Sequence, residues 1–197
     1  MQKEAGKEAD MKQAHHVLIT GFEPFGGAAV NTSAEVLRLL PDVIGGRQVT
    51  KAVLPVVFSR AAEEALRHPA DLIILLGEAG GRGLVTPELQ AKNVRNARIP
   101  DNAGQQPMQE LILPDGPEIY HTAVPVERIT AQMQAEGYGV AVSEDAGAFV
   151  CNDTYYLVGT ASRVPVVFIH VPALPDQAEA FADTVTRLIE FAETMER

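Results

Sequence analysis

Residues 71–78 read D-L-I-I-L-L-G-E, an unbroken apolar run between an aspartate and a glycine. A run this short suits a strand, and its lack of polar alternation means that both faces are covered. A central strand of a mostly parallel sheet, with helices above and below, meets that condition. Other stretches repeat the theme. H-H-V-L-I-T-G-F (15–22) and V-P-V-V-F-I-H-V-P (164–172) read as buried strands. Q-V-T-K-A-V-L-P-V-V-F (48–58) holds another, which Pro55 ends early or confines to an edge. Y-G-V-A-V-S-E-D (138–145) reads as a fifth.

Helical segments lie between these runs. Thr32 and Glu35 have capping-box spacing, and their helix must end before Pro41. Ser59 is placed to cap R-A-A-E-E-A-L-R-H, which Pro69 closes. Val126, Ile129 and Met133 mark one helical face, with Gly137 as its stop. Phe149 to about Gly159 suits a helix. A last one from about Asp176 carries Phe181, Val185, Leu188, Ile189, Ala192 and Met195 on one stripe. Strands alternating with helices predict an α/β fold: a three-layer α/β/α single domain with a mostly parallel central sheet. Residues 79–120 interrupt the rhythm with many Gly, Pro, Asn and Asp, and read as a loop-rich insertion.

Composition narrows the function. The chain has 197 residues, enough for one sizeable core, and a formal charge of −10. That balance argues against nucleic acid and anionic membranes as partners. No apolar run reaches the roughly 18–20 residues of a membrane span. Residues 1–13 read as a solvated tail, with Met11 a possible second start, and residues 14–197 as the domain. Cys151 is the sole cysteine, so a disulfide framework and a multi-thiolate zinc site are excluded. A free thiol fits a reducing cytoplasm. Neither a metal nor an organic cofactor is implied, and P-loop, dinucleotide-binding and zincin motifs are absent.

In open α/β sheets, ligands bind beyond the carboxyl ends of the strands. Here those ends lead into G-F-E-P-F-G-G (21–27), G-E-A-G-G-R (77–82), D-A-G-A-F-V-C-N (145–152) and His170. One rim thus collects two glycine-rich loops, the only cysteine and a histidine. His15 and His16 start a strand at the far rim, His68 ends a helix and His121 falls in the insertion. That leaves His170 as the best partner for Cys151. A lone Cys in an apolar run is commonly a small hydrophobe. This one stands at a helix start, which should lower its pKa, favour the thiolate and offer N–H groups to an oxyanion. A carboxylate or amide should orient the imidazole. Glu23, Glu78, Glu88, Asp101, Glu144 and Asp145 all lie near the rim, and spacing does not choose among them.

Six blocks in order carry a family pattern: G-F-E-P-F-G-G with Asn31, L-P-V-V-F (54–58), G-E-A-G-G-R, N-A-R-I-P-D-N (96–102), A-F-V-C-N (148–152) and F-I-H-V-P-A-L-P (168–175). Over about residues 15–180 the chain closely resembles pyroglutamyl peptidase I, a family of cytosolic cysteine peptidases. The resemblance implies a Cys-His-Glu triad that removes N-terminal pyroglutamyl residues from peptides. It places the nucleophile at Cys151, its base at His170 and the orienting carboxylate at Glu88. Arg98 and Asp101 match supporting residues. Phe22 and Phe25 match an aromatic pair holding the pyrrolidone ring, with Asn31, Glu78, Phe149 and Val150 completing the substrate pocket. A homo-oligomer, dimer or tetramer, is also implied.

Chemistry agrees with such a pocket, because a pyroglutamyl end is a neutral lactam that needs flat apolar walls and a few amide hydrogen bonds. Two departures stand out. Glu78 replaces the Gln found in many members, and an ionised carboxylate there raises the thiol pKa. Pro87 stands where a β-branched residue is expected and removes an N–H beside Glu88. The alternatives are a non-catalytic pyroglutamate- or lactam-binding protein of the same fold and, on fold analogy alone, a nucleoside phosphorylase.

Overall fold

The computed structural model describes residues 16–195, so the expected tail, Met11 and His15 lie outside the described residues. The central sheet is built around β1 (His16–Phe22), which lies between β3 (Arg47–Leu54) and β4 (Leu72–Ala79), parallel to both. On the other side of β4 runs β8 (Val166–Pro172), also parallel, with Gly77 opposite His170. Two short antiparallel strands close the edges. β2 (Val43–Ile44) pairs with β3, and β5 (Thr86–Glu88) pairs with β8. The order is β2-β3-β1-β4-β8-β5, four parallel strands with an antiparallel strand at each edge. A separate ribbon joins β6 (Gln90–Lys92) to β7 (Ile119–His121).

Side-chain alternation explains the layers. In β4, Leu72, Ile74 and Leu76 enter one apolar core with α1 (Thr32–Leu39), α3 (Val126–Ala135) and α5 (Ala178–Met195). Ile73 and Leu75 enter the other, with α2 (Arg60–Ala65) and α4 (Val150–Ala161). A strand buried on both sides has no polar face to present, hence its unbroken apolar run. Burying each such side chain contributes about 1.5–3 kcal/mol. The stripe read for the last helix is buried at Phe181, Val185, Leu188, Ile189 and Ala192, after a 3-10 turn at Pro175–Gln177.

Four local expectations are corrected. Residues 138–145 form no strand. They run beside β5 and meet it only at isolated bridges, with Ala141 N–H donating to Val85 O and Ser143 N–H to Pro87 O. β5, drawn from the insertion, takes the edge of the sheet instead. The insertion is therefore not merely a loop, since it also supplies β6 and β7. The α1 cap is Asn31, whose side chain accepts from Ser33 N–H, so Thr32 is already helical and no capping box forms. Ser59 precedes α2 with φ 60° but makes no side-chain cap. Its hydroxyl accepts from Arg95, and its N–H donates to Asp153. Pro87 keeps its place in β5 opposite Ile169, where an edge strand tolerates a missing N–H.

Candidate active site

The carboxyl ends of β1, β4 and β8 open onto a cavity of about 630 Å³. Phe22, Phe25, Asn31, Glu78, Arg98, Phe149, Val150, Cys151 and His170 all line it. Glu88 and Asp101 stand behind the wall, buried. Each lining residue is positioned by its element. His170 alternates with Phe168 on the β8 face that looks toward α4, and the two rings lie 4.7 Å apart. Cys151 is the second residue of α4 and is part-buried. Gly77, at the end of β4, leaves room for it: a Cβ there would fall 2.9 Å from Cys151 Sγ and 2.6 Å from the Phe168 ring.

Of the six carboxylates near this rim, Glu88 alone reaches His170. Its Oε1 lies 2.7 Å from His170 Nδ1, and both side chains are buried. A carboxylate accepts the Nδ1 proton, which leaves Nε2 as the basic nitrogen. The same Oε1 forms an ion pair with Arg82 at 2.7 Å. Glu23 is otherwise occupied, holding Val56 N–H and the Asn102 amide. Asp101 accepts from the N–H groups of Phe58, Ala103 and Gln105, and so shapes the loop behind the cavity. Asp145 pairs with Lys92 at 3.1 Å. Glu78 accepts from Thr32 N–H at 2.6 Å, at the start of α1. Glu144 is exposed. His68 sits 3.8 Å from Glu64, while His16 and His121 are exposed, so none of them joins the site.

Both Phe22 and Phe25 line the cavity, each packed against a different ring. Phe22 is buried and packs toward Phe168, with ring centroids 6.4 Å apart. Phe25 instead faces Phe149 at 6.0 Å, and Phe58 meets Phe149 edge-on at 5.4 Å. Phe149, the residue before α4, is thus shared by both contacts. Arg98 is exposed at the mouth.

Protonation departs from expectation. Burial, with the Glu88 and Glu78 charges adding to it, pushes the Cys151 thiol up to about 12, against the opposing pull of Arg82. Burial also lowers the His170 pKa, outweighing the hydrogen bond that its Nδ1 donates to Glu88. The helix start does not carry the thiol to a resting thiolate, because desolvation of the charged form is the larger effect. Near neutral pH the pair is thiol and neutral imidazole. Asp153 is the first residue of α4 whose N–H returns to a backbone carbonyl, that of Phe149, so the N–H groups of Val150 and Cys151 precede the helical ladder at the cavity wall.

Several residues of the site were not singled out from the sequence. Arg82 stood inside a quoted motif. Asn152 follows the cysteine directly and is buried; it accepts from Lys92 N–H and donates to the carbonyls of Lys92 and Val94, pinning β6 to α4. Asp153 takes Arg95 Nε at 2.6 Å, a contact with no sequence signal because its partners are 58 residues apart.

Known proteins resemble this chain over most of its length. The family model described as pyroglutamyl peptidase matches residues 15–189. A pyrrolidone-carboxylate peptidase of Staphylococcus saprophyticus is 43% identical over 170 residues, covering 82% of this chain and 80% of that one. One from Bacillus subtilis is 41% identical, covering 89% of each. Among solved structures, pyroglutamyl peptidase I from Bacillus amyloliquefaciens superposes with a TM-score of 0.82 at 37% identity, covering 90% of this chain and 95% of that one. A mutant pyrrolidone carboxyl peptidase from Pyrococcus furiosus gives 0.84 at 32%, covering 92% and 100%. Nothing in them favours a non-catalytic binder. With its fold, its motif order and these relatives in agreement, the chain belongs to the pyroglutamyl peptidase family of cysteine peptidases.

Proposed function

We infer that this protein hydrolyses the bond after an N-terminal pyroglutamyl residue through a Cys151 thioester, with His170 as base and Glu88 as its orienting carboxylate. The observation that carries this reading is the buried Glu88–His170 hydrogen bond beside a cavity that also contains the only thiol. Because the thiol rests protonated, His170 Nε2 takes its proton as Sγ bonds to the pyroglutamyl carbonyl carbon. The N–H groups of Val150 and Cys151 are placed to receive the carbonyl oxygen as it becomes negative. The carbon–nitrogen bond then breaks, and His170 delivers the proton to the leaving amine. Water attacks the thioester, its proton passing to His170 and then to the departing Cys151 sulfur. The products are pyroglutamate and the shortened peptide.

Phe22, Phe25, Phe149 and Val150 supply apolar walls for the lactam ring, and Glu78 and Asn31 supply polar atoms at its edge. Arg98 and Asp101 support the mouth and the loop behind it. No described helix is long and apolar enough to cross a membrane. A cytoplasmic location, supported by the free thiol, and a homo-oligomeric state belong to the same reading. A pyroglutamyl-fluorophore is the direct test. Wild type should release the fluorophore, and Cys151→Ala should fall by at least about 1,000-fold. Full turnover by Cys151→Ala would sink the mechanism.

A further inference from the structure

We propose that Arg82 is a positioning residue for the reaction, fixing the Glu88 carboxylate as an anion in the geometry that His170 needs. Arg82 does not line the cavity, so it acts through Glu88 rather than on substrate. The proposal rests on the triad reading above and extends it by one member.

Three contacts carry it. Arg82 Nη1 pairs with Glu88 Oε1 at 2.7 Å, the same oxygen that holds His170 Nδ1. Nη1 also donates to Thr86 Oγ1, two residues before Glu88 on β5. Nη2 donates to the Asp145 carbonyl at 2.7 Å, in the segment leading into α4 and Cys151. One guanidinium therefore ties the turn after β4, the strand carrying the carboxylate and the approach to the nucleophile helix. Its planar fork of donors suits three fixed acceptors in a way an ammonium cannot fully copy.

Charge gives the second line of reasoning. Glu88 is wholly buried, and its Oε2 has no hydrogen-bond partner. Among the described residues, compensation for the buried anion passes through Oε1, where two groups meet it. The charged and titratable groups around this carboxylate are Arg82 from the β4 turn, His170 from β8, Cys151 from α4 and Tyr155 from α4, whose hydroxyl donates to the Glu88 carbonyl. Asp145 and Glu78 add negative charge farther out, and Lys92 is paired with Asp145. His170 is neutral near pH 7, its pKa lowered by burial. Arg82 is then the only permanent cation on Glu88. A buried carboxylate without a cation is driven toward its neutral acid. A protonated Glu88 would donate to Nδ1 instead of accepting from it. That reverses the imidazole tautomer and takes the lone pair away from Nε2, where Cys151 needs it.

The test compares Arg82→Gln and Arg82→Lys, with thermal melting to confirm folding. Gln keeps amide donors but removes the charge; Lys keeps the charge but loses the fork. Arg82→Gln should lower kcat about 100-fold with KM little changed. Its acid limb of kcat/KM should move to higher pH by about one unit or more. Arg82→Lys should keep the wild-type acid limb and recover part of kcat. Wild-type kcat and pH profile in Arg82→Gln would overturn the proposal. So would equal losses in both variants with an unmoved acid limb, which would mark Arg82 as a plain strut. If Arg82→Gln does not fold, Arg82→Lys decides: an unmoved limb supports the proposal, a shifted one overturns it. Should wild type itself not release pyroglutamate, the peptidase reading fails separately. The imidazole tautomer of His170, read by 15N NMR without substrate, then tests the same point: Nδ1 should carry the proton in wild type and Arg82→Lys and lose it to Nε2 in Arg82→Gln, and an unchanged tautomer in Arg82→Gln would overturn the proposal.

Discussion

At Glu78 a single side chain serves both the cavity wall and the start of α1. Its carboxylate accepts the Thr32 N–H at the start of α1, where a helix dipole favours negative charge. It also lines the cavity and adds to the burial and the Glu88 charge that keep Cys151 protonated. Replacing it with glutamine removes one of those upward influences and keeps an oxygen for Thr32. Glu78→Gln should therefore alkylate faster at Cys151 at neutral pH, by about 2- to 10-fold, since one pKa unit is tenfold in thiolate. Iodoacetamide kinetics across pH check this, and an unchanged or slower rate would remove Glu78 from the thiol's electrostatics. The sequence exposed Glu78 as a departure. It did not expose the thiol's resting state, because a helix start is visible in a motif and depth of burial is not.

Among the elements, α4 and β6 depend on one amide. Asn152 satisfies three backbone groups of the Lys92–Val94 segment from the first turn of α4. Asn152→Ala strands those groups in a buried site, at a cost of about 1–3 kcal/mol for each one that water cannot reach. A lower Tm together with a lower kcat is expected, because the same turn carries Cys151. Melting curves and fluorophore release measure both, and a drop in neither would mean that β6 is held some other way. The long strands β1, β4 and β8 and helix α5 were legible because apolar periodicity reports burial directly. β5 was not. It is three residues long, contains Pro87, and owes its place to β8 and to the bridges from 138–145 rather than to its own composition. The same local weakness made 138–145 read as a strand, since Val140 is buried and its apolar neighbours are part-buried without a ladder to join. Glu88 could be singled out only through the family pattern, because its partner stands 82 residues away.

For the whole molecule, buried acids that ionise at high pH set a limit. The Cys151 thiol and the Tyr120 phenol are each raised to about 12, chiefly by burial, and Tyr155 is raised as well, also by burial first. Each folded-state pKa lies above its unfolded value, so the stabilisation is whole below the unfolded pKa and shrinks as pH rises through that value toward the folded one. Stability should be level near neutral pH and fall from roughly pH 9 upward, where unfolded Cys and then Tyr begin to lose protons. Urea midpoints measured across that range, with phenolate absorbance followed alongside, test it; a midpoint unchanged to about pH 11 would contradict it. The edge pairing of β5 with β8 has a consequence at this scale too. Thr86 stands opposite His170, which puts Glu88, two residues on, on the imidazole's side of the sheet. A slip of one residue would turn that carboxylate to the far face while leaving the helices and most of the core as they are. A chain misaligned at this edge would melt and scatter light much like the native one yet fail to turn over, so specific activity becomes a measure of how faithfully each preparation has folded.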